Sequence, residues 1–213
     1  MMILPSLASA DQMNLQSEIE KVRFIGNLHF DIEDGNFVPN ITFGLKTIKC
    51  ASEICRDIKK DAHLMVTDPE VYIEPLASCG FEKVAFHWES APYPSRLIEK
   101  IHKYHMQVGI AINPRTPISE IEDWLERAEY ILLMSSEPDG AGEQFQRGVL
   151  KKVACIREKC ARIPIIVDGG VNKNNYAELV DAGVSGVVLG RAIFQTDNVS
   201  ELVKELLKNQ KTS

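Results

Sequence analysis

The chain has 213 residues, a formal net charge of −6, 45% hydrophobic and 25% charged residues. That balance suits a globular protein with one large core, and the acidic charge, with no cationic run longer than two residues such as Lys59-Lys60, argues against a nucleic-acid surface. No apolar stretch is long enough to span a membrane, Met1-Met2-Ile3-Leu4-Pro5 is too short and uncharged for a signal peptide, and the five cysteines lack CxxC spacing; reduced thiols and a cytoplasmic location are expected.

Hydrophobic periodicity divides the chain into alternating units. Residues 3–7 are a short apolar run, and 14–24 have helical spacing through Leu15, Ile19 and Val22. A strand is expected at 28–32, then a helix at 45–55 with Ile48, Ala51 and Ile54 on one side. Residues 58–65 read as a strand, 71–76 as a short helix ended by Gly80, 83–88 as a strand and 94–104 as a helix. A strand at 107–112 is closed by Asn113-Pro114, and a helix is expected at 118–128. The strand at 130–134 leads into Ser135-Ser136-Glu137-Pro138-Asp139-Gly140-Ala141-Gly142. A helix at 148–159, a strand at 164–167, a helix at 174–182, a strand at 186–189 and a helix at 199–208 complete the chain. Cys50 and Cys55, like Cys155 and Cys160, fall inside helical patterns and read as packing residues.

Eight strand signals, each followed by a helix signal, predict parallel strands with crossover helices. The count fits one α/β domain over residues 1–213, a (β/α)8 TIM barrel at the short end of its range. An open doubly wound sheet is the other arrangement of such units, but no G-x-G-x-x-G follows the first strand. In a closed barrel the chemistry lies at the C-terminal strand ends.

Those ends carry an unusual set of residues. Along the second strand His29, Asp31 and Glu33 share one face, and Leu28, Phe30 and Ile32 share the other. His63 ends the third strand and Asp168 the seventh. Two imidazoles and two carboxylates at one mouth suit one divalent cation such as Zn, Fe, Mn or Co, with positions left for a substrate. His87, ending the fourth strand, reads as a satisfied core histidine rather than a group supporting the site; His102 and His105, at a helix end, read as exposed. A second constellation is glycine: 139–142 after strand six, Asp168-Gly169-Gly170 after strand seven and Gly190 after strand eight. Backbone N–H groups in such loops can bind phosphate, although tight βα turns also need glycine.

Further motifs run along the chain: Pro5-Ser6-Leu7, His29-Phe30-Asp31 followed by Asp34-Gly35-Asn36-Phe37-Val38-Pro39-Asn40, and His63-Leu64-Met65. Asn113-Pro114, Thr116-Pro117, Met134-Ser135, Val167-Asp168-Gly169-Gly170 and Gly190 with Ala192-Ile193-Phe194 extend the series. In these motifs, over essentially its whole length, the chain resembles the ribulose-phosphate 3-epimerase family. Within the family the chain is most similar to a subgroup of sugar-phosphate epimerases that share I-E-D, S-E-P-D-G and G-R-A. The resemblance implies a ketose-phosphate substrate and a metal held by His29, Asp31, His63 and Asp168. It implies Asp31 and Asp168 as exchanging base and acid, with His63 also near the substrate. Ser6 would contact the substrate, and Met65 and Met134 would wall off water. Asp139, Gly140, Ala141, Gly142, Gly169, Gly170, Gly190 and Arg191 would hold the phosphate. It also implies a homo-oligomer, a dimer or hexamer.

Three positions depart from the family pattern. Glu33 stands where methionine is usual, Asp139 lies in a loop that usually reads N-P-G-F-G-G, and Arg191 replaces a serine. A third buried carboxylate is costly unless paired, protonated or metal-bound. Arg191 is expected either to pair with Asp139 or to grip phosphate directly. Two other functions are compatible with such a barrel. A lyase or decarboxylase would need a lysine at a strand end, where Lys59, Lys60 and Lys83 are poorly placed; a sugar-phosphate sensor would keep the metal site and lose turnover.

Overall fold

The computed structural model describes residues 1–138 and 144–209. Eight strands form one parallel sheet: β1 (Met2–Pro5), β2 (Asn27–Glu33), β3 (Lys59–Met65), β4 (Lys83–His87), β5 (Gln107–Ile112), β6 (Tyr130–Met134), β7 (Ile165–Asp168) and β8 (Gly186–Leu189). The order β1-β8-β7-β6-β5-β4-β3-β2 is that of a barrel, and a parallel bridge between Ser6 and His29 joins its two ends. The fold is the expected (β/α)8 barrel. Its helices are α1 (Leu15–Val22), α2 (Leu45–Ile54), α3 (Ile73–Ser78), α4 (Pro94–Lys103), α5 (Gly148–Lys159), α6 (Tyr176–Asp181), α7 (Arg191–Phe194) and α8 (Val199–Asn209). No helix among the described residues is long and apolar enough to cross a membrane.

Strand alternation sorts the side chains into two cores. Odd or even residues of each strand point outward under the helices, as Phe30, Val84, Ile110, Ile131, Val167 and Val187 do. Helix positions of matching period meet them: Leu97, Ile98 and Ile101 of α4, and Val149, Val153 and Ile156 of α5, are buried. Each such side chain contributes about 2 kcal/mol by leaving water. The barrel interior is smaller and holds Leu4, Ala85, Ala111, Tyr130, Leu132, Met134, Ile166 and Val188. Gly109 leaves room for the Tyr130 ring, since a Cβ there would lie 2.3 Å from Tyr130 Cζ.

The elements agree with the sequence reading except in one crossover and in the one-turn helix α7, which the reading did not mark. Residues 118–128 are not an α-helix; they form 3-10 turns at Ile118–Glu120 and Glu122–Arg127. Ile118, Ile121 and Trp124 repeat every three residues, a spacing that suits the tighter turn, and Trp124 N–H bonds to the Ile121 carbonyl at 2.9 Å. At the edges, Leu7 begins a 3-10 turn after β1 and Pro69–Tyr72 forms one before α3. Cys55 is buried as expected, but Cys50 is exposed.

Candidate metal centre and active site

The register of β2 against β3 builds the centre of the mouth. His29 pairs laterally with Asp61, Asp31 with His63, and Glu33 with Met65. All six share parity and face inward, where Asp168 at the end of β7 meets them. His29, Asp31, His63 and Asp168 are buried, and one ligand atom from each lies within 4.8 Å of the others. His29 Nε2 is 3.1 Å from Asp31 Oδ1 and 3.9 Å from Asp168 Oδ2. His63 Nδ1 is 2.9 Å from Asp31 Oδ1 and 3.3 Å from Asp168 Oδ2. Ser6 Oγ donates to Asp31 Oδ2, leaving Oδ1 toward the centre.

The electrostatics follow from burial opposed by neighbours. Burial disfavours a charged His29, but Asp61 and Asp31 outweigh it and hold its pKa well above the usual imidazole value. Burial likewise opposes charge on His63, yet Asp168 and Asp31 raise it to about 9. Burial alone would neutralise Asp31; His29 and His63 reverse this and keep it well below the usual carboxylate range. The centre therefore draws positive charge to itself. A divalent cation fits this donor set, since it would replace imidazole protons between two carboxylates.

Around these four lie residues that sequence reasoning did not assign. Asp61 Oδ2 is 2.5 Å from His29 Nδ1. His87, read from the sequence as a satisfied core residue, is buried but also touches the site: its Nε2 is 2.9 Å from His63 Nε2, and its Nδ1 is 3.0 Å from Glu89 Oε2. Burial lowers the pKa of His87 to about 4 against the opposing pull of Glu89. Burial would raise Glu89, but His87, Thr116 and the Asn113 N–H bring it down to about 2. The parity of Asp61 with His63, and of Glu89 with His87, was the available signal.

Above the centre is a cavity of about 460 Å³, a size suited to a small metabolite. Ser6, Asp31 and Asp168 line it, together with Met65 and Met134. Gly169, Gly170, Gly190 and Arg191 also line it, as do Glu33, Asn40 and Thr42. Gly169 and Gly170 have φ of +106° and +64°, and a Cβ on Gly170 would lie 2.6 Å from Phe145 N. Glycine is required there both by conformation and by space. Glu33 stands apart from the four-residue cluster and accepts a hydrogen bond from Asn40 Nδ2 at 2.7 Å. Asp139, Gly140, Ala141 and Gly142 lie outside the described residues, and with them any pairing of Asp139 to Arg191.

Comparison with known proteins bears on this geometry. The model of the ribulose-phosphate 3 epimerase family matches residues 2–194. Ribulose-phosphate 3-epimerase of Schizosaccharomyces pombe is 34% identical over 208 residues, covering 96% of this chain and 91% of that protein. The Helicobacter pylori protein of the same name is 36% identical over 213 residues, covering 98% and 97%. Among solved structures, tryptophan synthase of the a2b2 complex from Pyrococcus furiosus aligns with a TM-score of 0.75 at 14% identity, covering 97% of each chain. 3-Hexulose-6-phosphate synthase from Salmonella typhimurium gives 0.75 at 14% identity, covering 100% and 99%; at such identities the likeness carries the fold alone. The barrel, the sequence match along nearly all of its length and the relatives' identity together place the chain in the ribulose-phosphate 3-epimerase family.

Proposed function

We propose that the chain is a metal-dependent epimerase that inverts C3 of a ketose phosphate, ribulose 5-phosphate or a related pentulose or hexulose phosphate. One observation carries this reading. Two buried carboxylates, Asp31 of β2 and Asp168 of β7, line one cavity from well-separated strands, with His63 Nδ1 at 2.9 and 3.3 Å from them. Inversion next to a ketone needs a proton taken from one face of a planar ene-diolate and returned to the other. Asp31 takes that proton in one direction and Asp168 supplies its replacement; the roles exchange in reverse. Ser6 steadies Asp31 through Oδ2, and Met65 and Met134 exclude water from the reactive carbons.

His29, Asp31, His63 and Asp168 would hold the divalent ion, whose charge offsets the negative charge that develops on the substrate oxygens. Gly169, Gly170, Gly190 and Arg191 are proposed to receive the phosphate, together with residues 139–142. The lyase alternative finds no support: Lys59, Lys60 and Lys83 line an opening at the opposite, N-terminal ends of the strands.

The test is solvent-deuterium incorporation at C3 across a panel of pentulose and hexulose phosphates, with and without a chelator. Exchange that a chelator abolishes is expected with at least one sugar. No exchange with any of them overturns the reading, and metal binding without turnover would favour a sensor.

A further inference from the structure

His63 is held from two sides. Its Nδ1 faces Asp31 and Asp168, and its Nε2 lies 2.9 Å from Nε2 of His87. The ring planes differ by 24° and the centroids are 4.9 Å apart, so the rings meet edge to edge, nitrogen to nitrogen. Two ring nitrogens this close share one proton, because two N–H groups would collide and two lone pairs would repel.

Glu89 decides which ring donates. Its Oε1 accepts the Asn113 N–H at 2.8 Å and the Thr116 hydroxyl. Its Oε2 is left for His87 Nδ1 at 3.0 Å, so Nδ1 of His87 carries the proton and donates it. His87 is wholly buried, with Phe37 packed against its ring at 4.8 Å between centroids, an environment that favours the uncharged ring. A neutral His87 protonated on Nδ1 has only a lone pair at Nε2. His63 must therefore donate from its own Nε2, and its Nδ1 is turned to the cluster.

We propose that Glu89 and His87 are positioning residues: they fix the ring of His63 and keep a proton on its Nε2, so that Nδ1 offers its lone pair to a divalent cation. This rests on the metal-dependent reading above. His29 reaches the same result by a shorter route, with Asp61 directly behind its Nδ1. On the His63 side the carboxylate is one ring further out, and the polarity of the whole chain of bonds is set at Glu89.

Glu89→Gln tests this with little change of shape. The amide oxygen is required by the Asn113 N–H and the Thr116 hydroxyl, so the amide NH2 faces His87 Nδ1. That moves the His87 proton to Nε2, against His63. The expected result is Co(II) binding, read by visible absorption, weakened about 10–100-fold relative to the unaltered chain. In the metal-free variant, above pH 9 where His63 has shed its second proton, the ring 15N shifts should place the His87 proton on Nε2. Thr116→Val removes one support of the Glu89 side chain without reversing the relay, and Co(II) affinity should stay within about twofold. Unchanged affinity in Glu89→Gln, or His87 still protonated on Nδ1 there, overturns the proposal. So does an equal loss in Thr116→Val, which would point to loop packing. If the unaltered chain binds no Co(II), the metal-dependent reading fails. The ring shifts still judge the relay, which falls if His87 of the unaltered chain carries its proton on Nε2.

Discussion

The two sides of the barrel mouth are built from different materials. From β2 to β4 the mouth is made of side chains: Asp61, His29, Asp31, His63, His87 and Glu89 form a continuous chain of contacts between 2.5 and 3.1 Å, buried up to His87 and reaching solvent at Glu89. From β7 to β8 it is made of backbone, with Gly169, Gly170 and Gly190 where side chains would not fit. The first arrangement fixes protons and positive charge; the second leaves space and N–H groups. A substrate with an acidic carbon at one end and a phosphate at the other needs both. Asp168 is the exception that joins them, a titratable side chain on the glycine side.

The largest expected effect comes from removing that exception. Asp168→Asn keeps the volume and loses both a proton-transfer group and a charged donor, so C3 exchange should fall by at least about 10³-fold. Asp31→Asn should do the same from the other side. Isotope exchange measured by NMR at saturating metal checks this. Retention of a tenth of the rate in either variant would break the two-carboxylate reading.

The next effect is the pH dependence of metal uptake. In the metal-free chain His29 lies well above its usual pKa and His63 at about 9, so near pH 7 both carry protons that a cation must displace. Apparent affinity should therefore rise with pH, by up to about 100-fold per unit for two protons. Titration calorimetry in two buffers of different ionisation enthalpy counts those protons, and a count of zero would refute it. Stability has the matching sign. The raised His63 contributes stability fully present below its unfolded value of 6.5 and lost as pH climbs through about 9. The lowered Asp31 contributes stability present above its unfolded value of 3.8 and lost in strong acid. Urea midpoints with chelator should decline between pH 6.5 and 9, and those with saturating metal should not.

The two sides also differed in how legible they were in the sequence. Alternation, helical spacing and glycine stops carry the barrel, because each is a local property of a short segment. The inward parity of His29, Asp31, His63 and Asp168 is local too. Asp61 and His87 were missed because their partners are set by lateral register: His29 lies beside Asp61, and His87 reaches His63 across neighbouring strands. The 118–128 crossover failed for another reason. Over so short a run a period of three and one of 3.6 place nearly the same residues inward.

Gly170→Ala probes the backbone side. It would force a side chain into a φ of +64° and set its Cβ 2.6 Å from Phe145 N. A loss of about 1–3 kcal/mol is expected in urea unfolding. Co(II) affinity should change far less than stability, since no ligand atom is altered. A large loss of affinity at unchanged stability would mean that the two sides are not separable in this way.

Glu33 carries the smallest expected effect and marks the boundary of the side-chain half. It shares a face with His29 and Asp31, yet its carboxylate accepts from Asn40, and it lines the cavity that Gly169, Gly170, Gly190 and Arg191 also line. If it stands outside the metal set, Glu33→Gln should leave Co(II) affinity within about twofold. The amide oxygen can still accept from Asn40, so the local fold is kept. What changes is one negative charge on a cavity proposed to take a phosphate dianion. Across most of the cavity, in a mouth that still admits water, that repulsion is on the order of 0.5–1 kcal/mol. KM should accordingly fall about two- to fivefold at unchanged kcat. A rise in KM together with a tenfold loss of Co(II) affinity would make Glu33 a ligand, and the side-chain half of the mouth would then extend one residue further along β2.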